Sequence, residues 1–442
     1  MLLIEIEKLI YGGDGLARMP ANAGGRGKAV FIPFVLAQEK VEAVLTEEKP
    51  GFARAQAITI AESSTHRILP DCPYFTRCGG CHYQHAAYEH QLEIKKEILR
   101  ESLRRMAKIE LQCDIAVHPS PPWNYRNRSR LQVRTRPDFA IGYFKFASHE
   151  LLPVEHCPIS SPLINRAITS VWNFGRAGKV VEGVREIEFF ANEDDTRLQI
   201  ELLCTPEARR AAVRACAEEL CAAMPEITGI SAFRESQKGA QQPLVAVGSS
   251  EFTYKTKAAA YRVSAGSFFQ TNRFLTDDLI NLVAANRAGE LAVDLYAGVG
   301  LFSTALAGSF RHILSVEMSQ TSFNDLSYNL SSKGKAVHAA AEQFLSGLGD
   351  QGRAKVGALL PQLRHKPELV VVDPPRSGLG DRVARLLTGL SASRITYVSC
   401  DPATLARDLV PLQSVGYRVE EVHLIDLFPQ TYHLESVVQL VR

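Results

Sequence analysis

The sequence predicts a multidomain chain: a small N-terminal β-barrel of oligonucleotide-binding type, a central α/β region, and a C-terminal parallel sheet with helices on both faces. Three observations lead there. At 442 residues the chain is too long for one ordinary core, and length alone suggests roughly three domains. Residues 1–62 hold four short apolar runs, LLIEIEKLI, KAVFIPF, KVEAVLTEE and ARAQAITIAE, parted by glycine turns at Gly12-Gly13, Gly24–Gly27 and Gly51. Four or five strands in so short a span suggest a small closed barrel. From Ser264 onward the apolar strands LAVDLY, HILSVE, ELVVVD and RITYVSC alternate with helical stretches, the pattern of a buried parallel sheet. The expected divisions are 1–62, 63–262 and 263–442.

Composition narrows the class. Hydrophobic residues make up 46%, enough for each unit to bury a core, and the net charge of +2 gives no global signal for a nucleic acid. Any such signal is local, in where basic residues sit. The opening apolar run carries Glu5, Glu7 and Lys8, unlike a secretory signal. No stretch reaches the roughly 18 apolar residues of a membrane span. A cytoplasmic chain with no membrane partner is expected. Nine cysteines in that setting point to metal, cluster or catalysis rather than disulfides.

The central region opens on DCPYFTRCGGCHYQH, which places Cys72, Cys78 and Cys81 in a C-x5-C-x2-C run. Gly79-Gly80 lets the backbone wrap around one centre, and Cys157, followed by proline, is the best fourth ligand. The wide first spacing favours an iron–sulfur cluster, with structural zinc as the alternative. Cys113, Cys204, Cys216 and Cys221 read as small core residues. YEHQLEIKKEILRESLRRM reads as a helix with Leu92, Leu99, Leu103 and Met106 on its apolar stripe. PPWNYRNRSRLQVRTRP has no acid from Pro121 to Pro137. As a strand it puts Arg126, Arg128, Arg130, Arg134 and Arg136 on one face, a face that repels itself without a polyanion nearby. Solvated surface arginines are the alternative. Trp123 and Tyr125 could stack on unpaired bases.

In the last region, LAVDLYAGVGLFS ends a strand on Asp294, turns on Gly298 and Gly300, and enters a helix. Glu317 ends the next strand 23 residues later, where a carboxylate grips ribose hydroxyls. The third glycine of a dinucleotide fingerprint falls on Ser303, so an adenosyl ligand without phosphates suits the loop better than a dinucleotide. VVVDPPRSGL brings Asp373 to the next strand end, and its paired prolines stiffen the loop. VSCDPATLARDL brings Cys400 to the end of another. FPQTYHLESVVQLV supplies Glu435, with His433 as a weaker base. Singly, Cys400 reads equally as a core thiol and Glu435 as an exposed strand residue. Together they suit one chemistry: a thiolate adds to C6 of uracil, C5 becomes nucleophilic enough to take a methyl group, and a base removes the C5 proton.

With SFFQTN, DLYAGVGLFS, DPPRSGL, VSCDPATLARDL and FPQTYHLESVV in this order, the chain resembles the RNA uracil-5-methyltransferase family, which modifies 23S ribosomal RNA and transfer RNA. The likeness covers nearly the whole chain. It implies a TRAM barrel, a [4Fe-4S] site on Cys72, Cys78, Cys81 and Cys157, and a Rossmann-like class I methyltransferase domain using S-adenosylmethionine. Cys400 matches the nucleophile and Glu435 the base. Gln270, Tyr296, Glu317 and Asp373 match positions that hold the methyl donor. Leu301 and Gln430 depart from residues that several members carry, polar and histidine respectively. Members that keep barrel and cluster cysteines more often act on ribosomal RNA, so that RNA is favoured over transfer RNA as partner. A monomer is expected. Such enzymes extrude the target base and so favour loops over intact duplex.

Overall fold

The computed structural model describes residues 2–19, 27–235, 241–347 and 366–442. The N-terminal strands β1 (Leu2–Leu9), β2 (Asp14–Arg18), β3 (Ala29–Pro33), β4 (Lys40–Glu48) and β5 (Phe52–Glu62) close a barrel in the order β1-β2-β3-β5-β4. Ile4, Ile6, Val30, Ile32, Val41 and Ala53 fill it, while the alternate residues Leu3 and Glu5 face out, the period-two pattern of a half-buried strand. Residues 24–26 of the Gly24–Gly27 turn lie outside the described residues.

Helix α1 (Tyr88–Ser102) buries Gln91, Ile94, Lys95, Ile98 and Leu99, not a stripe through Leu92 and Met106. A π-helical turn at Leu103–Ala107 follows. Its wider turn keeps Leu103 buried and leaves Met106 49% exposed. Strand β6 (Ile115–His118) comes next.

The central sheet contains β7 (Arg128–Arg134), β8 (Ala140–Phe144), β9 (Leu151–Pro153), β10 (Val184–Ala191), β11 (Leu198–Cys204), β12 (Ile227–Glu235) and β13 (Gln241–Gly248). Its order is β13-β12-β11-β10-β7-β8-β9. Helices α2 (Pro162–Arg176) and α3 (Arg210–Ala223) pack on it through Ile164, Ile168, Val213 and Leu220. A two-stranded ribbon, β14 (Glu251–Lys255) with β15 (Ala260–Ser264), leads into α4 (Thr276–Ala284).

The last sheet holds β16 (Gly289–Leu295), β17 (Phe310–Glu317), β18 (Lys335–His338), β19 (Leu369–Val372), β20 (Arg394–Ser399), β21 (Arg418–Ile425) and β22 (Glu435–Val441). Helices α5 (Leu301–Leu306), α6 (Gln320–Leu330), α7 (Ala341–Gly347), α8 (Gly380–Thr388) and α9 (Pro402–Ser414) connect it. The order is β18-β17-β16-β19-β20-β22-β21-β6. The expected parallel arrangement holds for β16 to β20. It breaks where β22 inserts antiparallel between β20 and β21. Every residue of β22 is buried, so this short apolar run belongs inside the sheet. β6 pairs parallel with β21, and Ile98, Leu99 and Ile115 share one core with Val293, Tyr397 and Leu409. From β16 the chain runs first to β17 and β18, then back to β19 and β20. Such a reversal opens a crevice at the carboxyl ends of the strands. Among the described residues, no helix is long and apolar enough to cross a membrane.

Candidate functional site

Strand register brings Cys400 and Glu435 together. Ser399 at the end of β20 pairs with Ser436 in antiparallel β22, so one step further Cys400 faces Glu435. Cys400 is half-buried and Glu435 is 6% exposed. Burial, then the neighbouring Glu435 and Asp373, push the Cys400 thiol up to about 12, while Arg376 pulls the other way. Burial and Asp373 likewise hold the Glu435 carboxyl well above the usual carboxylate range. His433 is driven to about 3 by burial first and then by Arg376, with smaller contributions from Arg126 and Lys95; Arg376 lies 3.4 Å from its Nδ1.

Tyr296, Glu317 and Asp373 lie at the carboxyl ends of three adjacent parallel strands of the same sheet. Tyr296 follows β16 with φ +63°, an uncommon conformation for a non-glycine residue. Gly300 has φ +92° and caps α5; a Cβ there would stand 2.9 Å from Leu326 Cδ1. Glu317 closes β17 and accepts from the backbone N–H of Gly298 (2.9 Å) and of Ser319 (2.6 Å), which fixes its carboxylate against the glycine loop. Asp294 is fully buried and accepts from Ser303 Oγ, yet burial lifts it to about 7. Burial and Asp294 raise Asp373 to about 7 as well. Gln270 is buried on the segment between β15 and α4. That segment is anchored by Ser267 Oγ donating to Asp325 (2.7 Å) and by Asn272 Nδ2 donating to the Leu427 carbonyl (3.2 Å).

Cys72, Cys78, Cys81 and Cys157 line one cavity of about 190 Å³ with Gln84, Arg126 and Tyr143. Asn165 clamps the Cys157 peptide, accepting from its N–H (2.8 Å) and donating to its carbonyl (3.0 Å). Burial raises the Cys72, Cys78 and Cys81 thiols, Cys78 to about 11, and Gln84 Oε1 is buried without a partner. All nine cysteines are free. Among the described residues, no three Cys, His, Asp or Glu side chains form a ready-made group that could hold a metal ion. The four thiols do line one cavity. Of the remaining cysteines, Cys204 and Cys216 are buried and Cys113 and Cys221 are partly exposed.

The arginine strand also differs from expectation. Arg128 and Arg130 both bond Glu188 on β10, Gln132 bonds Glu186 (3.1 Å), and Arg136 reaches Glu182 (2.9 Å). The neighbouring strand thus supplies carboxylates to Arg128 and Arg130, while Arg126 and Arg134 donate to backbone carbonyls. Arg128 also donates to the Ser267 carbonyl at 2.6 Å, which anchors the segment carrying Gln270. Tyr125 is fully buried and donates to the Pro429 carbonyl at 3.0 Å, so its ring is closed to bases. Trp123 packs beside it, partly buried, with Cys81 and Cys157.

Several residues at the site carried no role in the sequence reading. Arg376 stands between Cys400, Glu435 and His433. Lys95 and Asp426 form a fully buried ion pair at 2.6 Å, and Lys95 also donates to the Phe428 carbonyl at 2.9 Å. The backbone N–H groups of His82 and Tyr83 donate to the Gln430 carbonyl (2.9 and 3.0 Å), and Gln91 exchanges two bonds with Gln430. The loop ahead of β22 is thus held from α1 and from the cysteine segment. A lysine on an apolar helix face was the one available signal.

Comparison with known proteins agrees with this geometry. The family model for tRNA (uracil-5-)-methyltransferase matches residues 87–442 and the TRAM domain model matches 1–58. An uncharacterised RNA methyltransferase of Caldanaerobacter subterraneus is 31% identical, covering 99% of this chain and 97% of its own. Another, from Streptomyces avermitilis, is 32% identical over 99% of this chain and 97% of its own. The crystal structure of Pyrococcus abyssi tRNA (uracil-54, C5)-methyltransferase in complex with S-adenosyl-L-homocysteine shares the fold, with a TM-score of 0.74, 21% identity and full coverage of both chains. The chain belongs to the tRNA (uracil-5-)-methyltransferase family and carries a TRAM domain at its N-terminal end.

Proposed function

We propose that this chain methylates C5 of a uridine in structured RNA, with 23S ribosomal RNA favoured, taking the methyl group from S-adenosylmethionine through a covalent Cys400 adduct. The register that sets Cys400 against Glu435 at the carboxyl edge of the sheet carries the reading. Bound S-adenosylmethionine supplies an electrophilic methyl group. Gln270, Tyr296, Glu317 and Asp373 are the residues that hold it. In the free protein Cys400 is a thiol; Arg376 and a cationic donor beside Asp373 both favour its thiolate. The thiolate sulfur bonds C6 of uracil, and the C5–C6 electron pair moves into the ring carbonyl. C5 then forms its bond to the methyl carbon as the methyl–sulfonium bond breaks, its electron pair passing to the sulfur of the departing S-adenosylhomocysteine. Glu435 takes the C5 proton, the electron pair re-forms C5=C6, and the sulfur leaves C6. His433, held neutral at about 3 beside Arg376, is the weaker base.

Cys72, Cys78, Cys81 and Cys157 are proposed to hold a [4Fe-4S] cluster. Four soft thiolate donors lining one cavity suit it. Protein purified without oxygen should be brown with about four irons per chain; a colourless protein with stoichiometric zinc would overturn the cluster. The chain is proposed to act as a cytoplasmic monomer of three parts, 1–62, 63–262 and 263–442. The second reading is a transfer-RNA substrate, because the Pyrococcus abyssi neighbour is named for transfer RNA and matches along the full chain.

One experiment addresses mechanism and substrate together, using labelled S-adenosylmethionine and total RNA from cells lacking the protein. Cys400→Ala should bind RNA yet form no adduct and no product. Glu435→Gln should transfer the methyl group and stall as a labelled protein–RNA adduct that survives denaturation. Sequencing the trapped RNA shows whether it is ribosomal or transfer RNA. Normal turnover by either variant refutes its assigned role.

A further inference from the structure

The barrel reaches the nucleophile. Tyr11 sits in the tight turn between β1 and β2, beside Gly12-Gly13, and its Oη donates to the backbone carbonyl of Cys400 at 3.1 Å. Its ring meets Tyr432 edge-on at 5.6 Å, and Tyr432 meets His82 at 4.6 Å. His82 directly follows Cys81, and its backbone N–H is bound to Gln430. A turn of the barrel, the cysteine segment and the loop preceding Glu435 therefore close around one point.

The Cys400 carbonyl sits where neither regular element satisfies it. β20 ends at Ser399, and α9 begins at Pro402 with Asp401 as its cap, the Asp401 side chain accepting from the N–H groups of Ala403 and Thr404. The flanking residues are tied down separately: Ser436 Oγ donates to the Ser399 carbonyl (3.3 Å), and Ser399 Oγ donates to the Asp401 carbonyl (3.0 Å). The peptide plane between Cys400 and Asp401 is held at its nitrogen end by the Asp401 N–H donating to Ser399 Oγ (3.3 Å), which leaves the Cys400 carbonyl as its other handle. Tyr11 holds that carbonyl end, from the barrel side.

We propose that Tyr11 is a positioning residue for the reaction: the barrel's hydroxyl fixes the Cys400 carbonyl and so aims the sulfur at C6 of the target base. The inference rests on Cys400 being the nucleophile. It makes the barrel part of the chemical step and not only an arm for RNA. A bond of this kind is worth about 1 kcal/mol, or roughly five- to tenfold in rate when it acts on the transition state alone.

Tyr11→Phe in the full chain is the test, because it keeps the ring against Tyr432 and removes only the hydroxyl. The rate is measured with labelled S-adenosylmethionine on total RNA from cells lacking the protein. Adduct formation is measured separately on the same RNA made with 5-fluorouridine, whose fluorine cannot leave as a cation and so traps the adduct. Titrating the trapped adduct counts competent molecules, so a less stable variant is still compared per folded site. The expected result is a five- to tenfold fall in kcat and in the rate of adduct formation, with KM for RNA changed by less than about twofold. An unchanged kcat, or a raised KM with unchanged kcat, overturns the proposal and makes Tyr11 an RNA contact or a packing residue. Cys400→Ala run in parallel separates the two readings: if that variant still methylates, the nucleophile is misassigned whatever Tyr11→Phe does.

Discussion

Asp373 shows how charge is managed where the methyl donor would bind. Its carboxyl, partly exposed but raised to about 7 by burial and by Asp294, is neutral in the free protein at mildly acid pH. A folded-state value above the unfolded one contributes stability that is complete below about pH 4 and lost as pH rises through about 7. The free protein should therefore have a lower Tm at pH 8 than at pH 5, and Asp373→Asn should flatten that slope in a pH series of thermal melts. On the proposed assignment of Asp373 to the cationic donor, affinity for S-adenosylmethionine should rise through about pH 7 in the native protein and stay flat in the variant. A slope unchanged by the substitution would place the titration elsewhere. The same logic applies to Cys400, whose thiol at about 12 stays protonated until a positive charge arrives.

Among the elements, β7 is the instructive one. Its arginines read as a nucleic-acid face because no acid lies near them in sequence, yet their partners Glu186 and Glu188 stand on β10, more than fifty residues on. Pairing between distant strands leaves no local mark, whereas the alternation inside β1 or the apolar run of β19 is local and was readable directly. Burial works against the Glu188 charge, but Arg128 and Arg130 hold its carboxyl below the usual range. Removing one member of such a cluster leaves a buried charge uncompensated. Glu188→Ala should therefore destabilise the protein by about 3 kcal/mol, measured by urea unfolding. Arg128→Ala should act through stability and the placement of Gln270, not through the salt dependence of RNA binding. If its unfolding midpoint is unchanged while the salt slope flattens, the phosphate reading stands after all. The helical stripe misled for a related reason: one π-helical turn after Ser102 rotated Met106 outward, and residue spacing alone cannot reveal an added backbone residue per turn.

For the whole molecule, the strand ends with their motifs were legible because each pairs an apolar run with an abrupt polar turn. Asp294, Glu317, Asp373 and Cys400 all mark carboxyl ends of strands. Tyr11 was not legible, since a tyrosine in a glycine turn signals only a turn, and its partner is 389 residues away. Lys95 and Asp426, similarly remote, tie α1 to the loop before Glu435 with no exposed atom. The position of β22 has one more consequence. It is the last described strand to be synthesised, yet it fills an interior slot between β20 and β21. A premature stop codon anywhere between Cys400 and Glu435 leaves β20 with a bare, apolar edge, an invitation to aggregation. Such truncated products keep Cys400 but lose Glu435 and the strands that confine the thiol, so they should be prone to aggregation and proteolysis.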